Sequence, residues 1–375
     1  MARWFKFAID NSLLLVAGAI AALVWANVDP TNYTYVSHAL HFGVNDIAMV
    51  FFFAIATKEV VEAMLPGGPL ASPRQAGLPI FAAVGGMVAP ALIFLAGARL
   101  LGQEGLTNGW AIPCATDIAF SYLAAKLIFP KSSPAIPFLL LLAIADDALG
   151  LIILAVFYPS APLELGYLVL GLVPAIALAW AMRKYGITNF WWYLLVPGVF
   201  SWVGLYAGGM HPALALVPIV PFMPSAPKDL GLFAGEEEER QPDTLNRFEH
   251  AWHIPVQFIL LFFGLANAGV PLTSIGTPTW LVLGGLIVGK PLGVVGMTLL
   301  AERIGFQRAK ELDLRSLVVV GVAAGIGFTV ALFFATAAFP PGEILDQSKM
   351  GALLSFLAAP LAILLAKLLR IRRTA

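Results

Sequence analysis

The sequence predicts an all-α polytopic membrane protein of about twelve transmembrane helices. Three observations carry that reading. The 375-residue chain is 59% hydrophobic and 12% charged, with mean hydropathy +0.86, whereas soluble domains carry about 25% charged residues. Apolar windows of about 20 residues recur along the whole chain, separated by short polar joints. The basic residues fall almost entirely on one side of those windows.

The first window, 12–28, follows Arg3 and Lys6. That lead resembles a signal peptide, but the many spans that follow favour a retained first helix. Residues 29–45, with His38 and His41, read as an outer loop before the second span, 46–64, which holds Lys58, Glu59 and Glu62. The third and fourth spans are 78–100 and 110–128, and the fourth is interrupted by Pro113-Cys114-Ala115-Thr116-Asp117. The fifth, 136–158, carries Asp146 and Asp147 side by side at its middle. Spans 165–182 and 190–208 are plain apolar runs, while the eighth, 211–223, is short and contains Pro212, Pro218 and Pro221. The longest hydrophilic stretch, 225–248, includes four glutamates at 236–239 and reads as a solvated cytoplasmic loop. Then come 252–270, preceded by Glu249 and His250 and containing His253, and 277–300, containing Lys290. The last two are 316–339, with Gly321, Gly325 and Gly327 at mid-depth, and 350–369.

With the N-terminus inside, all of the 22 lysines and arginines except Arg99, Lys349 and the intramembrane Lys290 fall on the inner side. Such asymmetry is the positive-inside pattern of a correct topology, and it puts both termini in the cytoplasm. The net charge is zero, which gives no case for a nucleic-acid partner. Cys114 is the only cysteine, so no intramolecular disulfide can form.

Asp117, Asp146, Asp147 and Lys290 remain at membrane depth. Each charge there costs about 3 kcal/mol on insertion scales, so such residues mark pathways for ions or protons. Three acids and one base suit a cation path in which the lysine matches one carboxylate. Neighbouring carboxylates and a hydroxyl also supply the oxygen ligands a hard cation prefers, and protons compete for the same oxygens. The polar break at Thr116-Asp117 and the glycines at 325 and 327 suggest two discontinuous helices facing each other. Asp117 would then offset their positive N-termini and Lys290 their negative C-termini. Regions 78–158 and 277–369 are candidates for two inverted-repeat halves of one transporter domain spanning 1–375.

Several motifs together resemble those of the bacterial NhaA-type sodium/proton antiporters. They are Ala115-Thr116-Asp117-Ile118-Ala119-Phe120, the Asp146-Asp147 pair, Gly289-Lys290-Pro291-Leu292-Gly293 and Gly325-Ile326-Gly327-Phe328-Thr329. Gly85-Gly86-Met87, Trp110 to Pro113, Glu249-His250 and Ala266-Asn267-Ala268-Gly269-Val270 add to them in order and spacing. This family is a standard example of inverted repeats with broken helices. The resemblance implies twelve helices, with the fourth and eleventh discontinuous, in a bacterial inner membrane amid lipid. It implies exchange of cytoplasmic Na+ or Li+ for external H+, serving sodium and pH homeostasis, with no cofactor. Asp147 matches the main cation ligand and Asp146 the second carboxylate, paired with Lys290; Thr116 and Asp117 match the interrupted helix. Glu59 or Glu62, Glu249, His250 and His253 fall where the family has its pH-responsive groups. Three departures stand out. Lys58-Glu59-Val60-Val61-Glu62 fits the family's acid-basic-acid pattern only after a shift. The 29–44 stretch is shorter than the loop whose hairpin joins two protomers, so it gives no basis for that dimer. The glycine after the acid pair is Gly150, one place late.

Other readings fit less well. An intramembrane aspartyl protease needs acids on two helices and a Gly-x-Gly-Asp signature, but here Phe328 follows Gly327. A prenyl transferase needs Asp-Asp-x-x-Asp, and Gly150 occupies the last position. A sodium-coupled symporter of an organic anion is the alternative transporter. It needs a roomy polar cavity, for which the sequence offers few hydroxyls or amides.

Overall fold

The computed structural model describes residues 7–9, 11–225 and 243–371. Arg3, Lys6, Lys228, Arg240, Arg372, Arg373 and the glutamate run at 236–239 lie outside the described residues. Among the described residues the secondary structure is entirely helical, with no strand. Seven segments are long and apolar enough to cross a membrane, and two further bent pairs make nine.

Helix α1 is Leu13–Val28, close to the expected first span. The expected outer loop at 29–45 is instead helical. Helix α2, Pro30–His41, runs through a π-helical stretch, Phe42–Ala48, into α3, Met49–Met64, as one continuous 35-residue rod. The reason is local: the Asp29 carboxylate accepts the Asn32 N–H at 3.2 Å while Pro30 takes the first helical position. That pairing of N-cap and proline starts a helix whatever the polarity behind it.

Helix α4, Pro73–Leu100, begins five residues before the expected third span. The fourth span divides into a 3-10 segment, Glu104–Cys114, and α5, Ile118–Ile128, bent by 53°. Helices α6, Ala135–Phe157, and α7, Leu165–Lys184, match their windows closely. Span seven is α8, Phe190–Tyr193, a π turn at Leu194–Gly198 holding Pro197, and α9, Val199–Ala207. The eighth window does not form a continuous helix. It yields only 3-10 turns at Pro212–Leu214 and Val220–Phe222, because three prolines withhold the N–H groups a longer helix needs.

Helix α10, Thr244–Asn267, starts inside the stretch read as the 225–248 loop. Helix α11, Thr277–Gly284, passes through a π turn, Gly285–Gly289, into α12, Lys290–Ile304. The eleventh span is α13, Leu314–Ala324, and α14, Phe328–Ala338, bent by 49°. The last span is α15, Glu343–Leu354, a 3-10 turn at Ser355–Leu357, and α16, Ala358–Leu368. It begins seven residues early and so contains Lys349, which had been placed in an outer loop.

The chain separates into two compact units. One comprises Met1–Ala22, Asp29–Ala71 and Leu151–Ala266; the other comprises Leu23–Val28, Ser72–Gly150 and Asn267–Ala375. In the first, Gly171 of α7 lies directly against the Gly204 backbone of α9. In the second, Gly85 of α4 meets the Gly293 carbonyl of α12 in the same way. Helices in lipid gain little from hydrophobic exclusion, so such close backbone approaches supply the packing. A side chain at either glycine pair would force the helices apart.

Candidate ion site at two broken helices

Within the second unit the two interruptions meet. The Asp117 N–H donates to the Ile326 carbonyl at 2.7 Å, joining the extended Ala115–Asp117 strand-like gap to the Gly325–Gly327 gap. Every helix end leaves N–H and C=O groups without intrahelical partners, and here side chains take up several of them. Asp117 caps α5 by accepting the Phe120 N–H with Oδ1, while Oδ2 accepts the Thr329 N–H at 3.2 Å and the Thr329 hydroxyl. Helix α14 has Gly327 at its N-cap and therefore no capping side chain of its own. One carboxylate thus serves two helix N-termini.

The C-terminal carbonyls are met by donors. Thr116 Oγ1 lies 3.0 Å from the Ala324 carbonyl, and the Ser121 hydroxyl donates to the Ala323 carbonyl at 2.9 Å. The Lys290 ammonium donates to the carbonyl of Cys114, the last residue of the 3-10 segment. Lysine 290 is fully buried, and its stem passes beside Gly86, where a Cβ would meet Val294 Cγ2 at 3.1 Å and lie in ordinary contact with Lys290 Cε.

The acid pair on α6 divides sharply. Asp146 is 2% exposed, and its Oδ2 receives Lys290 Nζ at 2.7 Å and the Thr116 hydroxyl at 2.7 Å. Its Oδ1 is buried with no hydrogen-bond partner. Asp147, the next residue, is partly exposed and forms no hydrogen bond or ion pair among the described residues. The charge ledger is therefore uneven. Asp117 faces two helix N-termini of about +0.5 each, Asp146 pairs with Lys290, and Asp147 has no cation within ion-pair distance among the described residues. Gly150 is not tightly packed; the nearest atom to a Cβ there would be Phe334 Cε2 at 3.9 Å.

The expected pH-responsive acids form a second cluster, in the first unit, around Lys58, the basic residue of the shifted acid-basic-acid pattern. Lys58 is fully buried on α3, with Glu62 Oε2 at 2.5 Å, Glu249 Oε2 at 2.6 Å and Glu59 Oε1 at 3.6 Å. Glu59 and Glu62 are on Lys58's own helix, and Glu249 comes from α10. His250 is exposed and His253 half-buried on α10, and neither contacts an acid or Lys58 among the described residues. His211 instead lies 3.7 Å from Asp46. Sequence reading also missed Ser121 and Thr329 as ligands of the broken ends. A hydroxyl in an apolar run carries no signal until its partner is known, although Thr329 closed a motif already noted.

Comparison with known proteins follows the same line. Residues 2–366 match the family described as Na+/H+ antiporter 1. The chain is 46% identical over 377 residues to the Na(+)/H(+) antiporter NhaA of Geobacter metallireducens, covering 97% of each. It is 47% identical to the protein of that name from Geotalea uraniireducens, covering 97% of this chain and 96% of the relative. Among solved structures, the sodium proton antiporter MjNhaP1 of Methanocaldococcus jannaschii superposes with TM-score 0.58 at 14% identity, covering 95% and 91% of the two chains, which is a likeness of fold.

Proposed function

The chain belongs to the Na+/H+ antiporter 1 family, and from that premise we propose that it exchanges Na+ for H+ at Asp146 and Asp147. The observation that carries the site is the division of the acid pair. Asp146 is held by Lys290 and Thr116, while Asp147 is partly exposed with no ion-pair partner, beside two broken helices.

The chemistry is competition. Na+, the substrate, prefers hard oxygen ligands, and Asp147 with the unpartnered Oδ1 of Asp146 offers carboxylate oxygens. Thr116 adds a hydroxyl, and the carbonyls of the broken segments lie close by. Protons bind the same oxygens and neutralise the charge that holds the cation, so one group of ligands couples two opposed fluxes. A cation reaching Asp146 Oδ2 also competes with the Lys290 ammonium already there. Asp117 anchors the crossing by capping α5 and α14, and Gly325 and Gly327 keep the second gap open.

The setting is a bacterial inner membrane with both termini cytoplasmic, Na+ or Li+ leaving the cytoplasm and H+ entering. Regions 78–158 and 277–369 act as the inverted-repeat halves of the core, a reading supported by one interrupted span in each. The Lys58 cluster with Glu59, Glu62 and Glu249 carries the pH response, and His250 and His253, which do not contact it among the described residues, are left out of that reading. Nothing in the structure favours organic-anion symport.

The test is dequenching of a pH-sensitive dye in everted vesicles on addition of NaCl, LiCl or KCl, from neutral to alkaline pH. Wild-type protein should respond to NaCl and LiCl, and Asp147→Asn to neither. A sodium response that survives Asp147→Asn would remove the acid pair from the pathway.

A further inference from the structure

The last span, Glu343–Leu368, is continuous, but it tightens into a 3-10 turn at the same crossing. Helix α15 stops at Leu354, and Ser355–Leu357 forms a 3-10 turn before α16. Ser355 is fully buried. Its hydroxyl donates to the Ala352 carbonyl at 2.6 Å and, with its lone pairs free, accepts the Gly327 N–H at 3.2 Å. Serine and threonine side chains that bond back to a carbonyl of the preceding turn perturb the regular helix, and Ser355 makes such a bond where the helix changes to 3-10 geometry.

Gly327 is the position that most needs an outside acceptor. It is the N-cap of α14, it has no side chain, and Asp117 is already engaged with Thr329 two residues on. A Cβ at Gly327 would come 3.0 Å from the Ala115 carbonyl oxygen of the other gap, so the two breaks are in near contact there. Without Ser355 the Gly327 N–H would be buried and unpaired, and an orphaned amide destabilises the conformation that buries it.

The neighbouring side chain repeats the arrangement. Phe356, from the 3-10 turn, lies 4.8 Å from Phe120 and 4.5 Å from Phe328, ring centre to ring centre, and those two are 6.1 Å apart. Phe120 sits in the first turn after the Ala115–Asp117 gap and Phe328 directly after Gly327. One phenylalanine beside each gap and one from the 3-10 turn thus form a cluster in which Phe120 meets Phe356 and Phe328 edge-to-face and Phe356 tilts onto Phe328, edge-to-face being a favoured geometry for aromatic rings.

We infer that the Ser355–Leu357 turn is a third component of the crossing and that Ser355 is a positioning residue for ion exchange, acting through Gly327 on the Thr329–Asp117 contact. The inference rests on the reading of Asp146 and Asp147 as the ion site. It assigns the last span a part in setting cation affinity rather than only in closing the bundle.

The test uses the full-length protein in proteoliposomes, with Ser355→Ala, Ser355→Thr and Asp147→Asn measured side by side. Ser355→Ala should raise the sodium concentration for half-maximal proton flux about tenfold. Stability should fall modestly through the orphaned Gly327 amide, so the half-saturation concentration is measured on the folded fraction and compared at equal amounts of folded protein. Ser355→Thr, which keeps the hydroxyl, should return half-saturation to within about twofold of wild type. A purely structural serine would lower yield or maximal rate and leave half-saturation unmoved, and that outcome overturns the inference. So does a Ser355→Thr protein as impaired as Ser355→Ala, which would locate the effect in packing and not in the hydroxyl. Asp147→Asn separates the two readings. If it keeps sodium-dependent flux, the ion site itself is misplaced; if it is silent while Ser355→Ala behaves as wild type, only the positioning role fails.

Discussion

Two buried lysines organise acids in this protein, and they do so in opposite ways. Lys58, in the first unit, has Glu62 and Glu249 within 2.6 Å and Glu59 at 3.6 Å. Lys290, in the second, has one carboxylate, Asp146, and spends its remaining reach on the Cys114 carbonyl. Around Lys58 the acids gather on the cation. Around Lys290 the helix ends and the lysine account for Asp117 and Asp146, and Asp147 is left over. A carboxylate oxygen already engaged by an ammonium must lose that partner before it can bind a cation, whereas an unengaged oxygen can take a cation or a proton directly. The difference teaches that two clusters of charge can each centre on a buried lysine and still differ in whether one acid is left without a cation at ion-pair distance. The proposed ion site is the one that has such an acid.

The comparison can be broken most directly at the unmatched acid. Asp147→Asn should reduce sodium-dependent proton flux to background, yet change unfolding stability by less than about 0.5 kcal/mol, since no hydrogen bond or ion pair is lost. Flux assays and thermal unfolding of the same preparation check both halves. Lys290→Met should do the reverse to stability, destabilising by about 3–5 kcal/mol, because it leaves Asp146 buried without its partner. Recovery of wild-type stability in Lys290→Met combined with Asp146→Asn would show that the loss belongs to that pair.

Lys58→Met should cost less, about 2 kcal/mol, because Glu59 and Glu249 keep 11% and 13% of their side-chain surface exposed and water can replace part of the lost attraction. It should shift the pH dependence of exchange while leaving sodium-dependent flux measurable. Silencing of flux by this change would erase the distinction between the clusters.

The smallest effect lies outside both. Asp313, just before α13, accepts the Ser316 N–H at 2.7 Å as an N-cap. Burial alone would raise its carboxyl, but the hydrogen bonds from Ser316 and the nearby Arg315 and Arg308 outweigh that and hold it below the usual carboxylate value. Its contribution is therefore present above the ordinary carboxylate range and fades as pH falls through the depressed value. Asp313→Ala should cost about 1 kcal/mol at neutral pH, and the gap between variant and wild-type unfolding should narrow in acid.

Much of the membrane plan was legible before any coordinates. The break at Pro113 to Asp117 and the glycines at 325 and 327 were visible because proline, polar groups and glycine are each unusual at the middle of a span. The helix at Pro30–His41 was equally visible in principle, in Asp29-Pro30, but polarity was allowed to outweigh the cap. The eighth window failed for the opposite reason, since its composition is apolar and its prolines forbid the length a span needs. Ser355 carried no usable signal, since a single serine in an apolar helix is ordinary. Lys58 was legible as part of Lys58-Glu59-Val60-Val61-Glu62, but that Glu249 joins Glu59 and Glu62 on its ammonium depends on α10 packing against α3.

By itself, then, the chain's order of residues determined where apolar segments run, where they break and which charges lie at depth. Each of those follows from a penalty that hydrocarbon imposes residue by residue, independent of neighbours far along the chain. The likeness of motifs already implied that Lys290 pairs with Asp146; the other pairings were decided only by the tertiary structure. That Glu249 reaches Lys58, that Asp117 caps two helices, and that Ser355 reaches Gly327 all depend on side chains far apart in sequence meeting within hydrogen-bond distance, where electrostatic and hydrogen-bond energies become large.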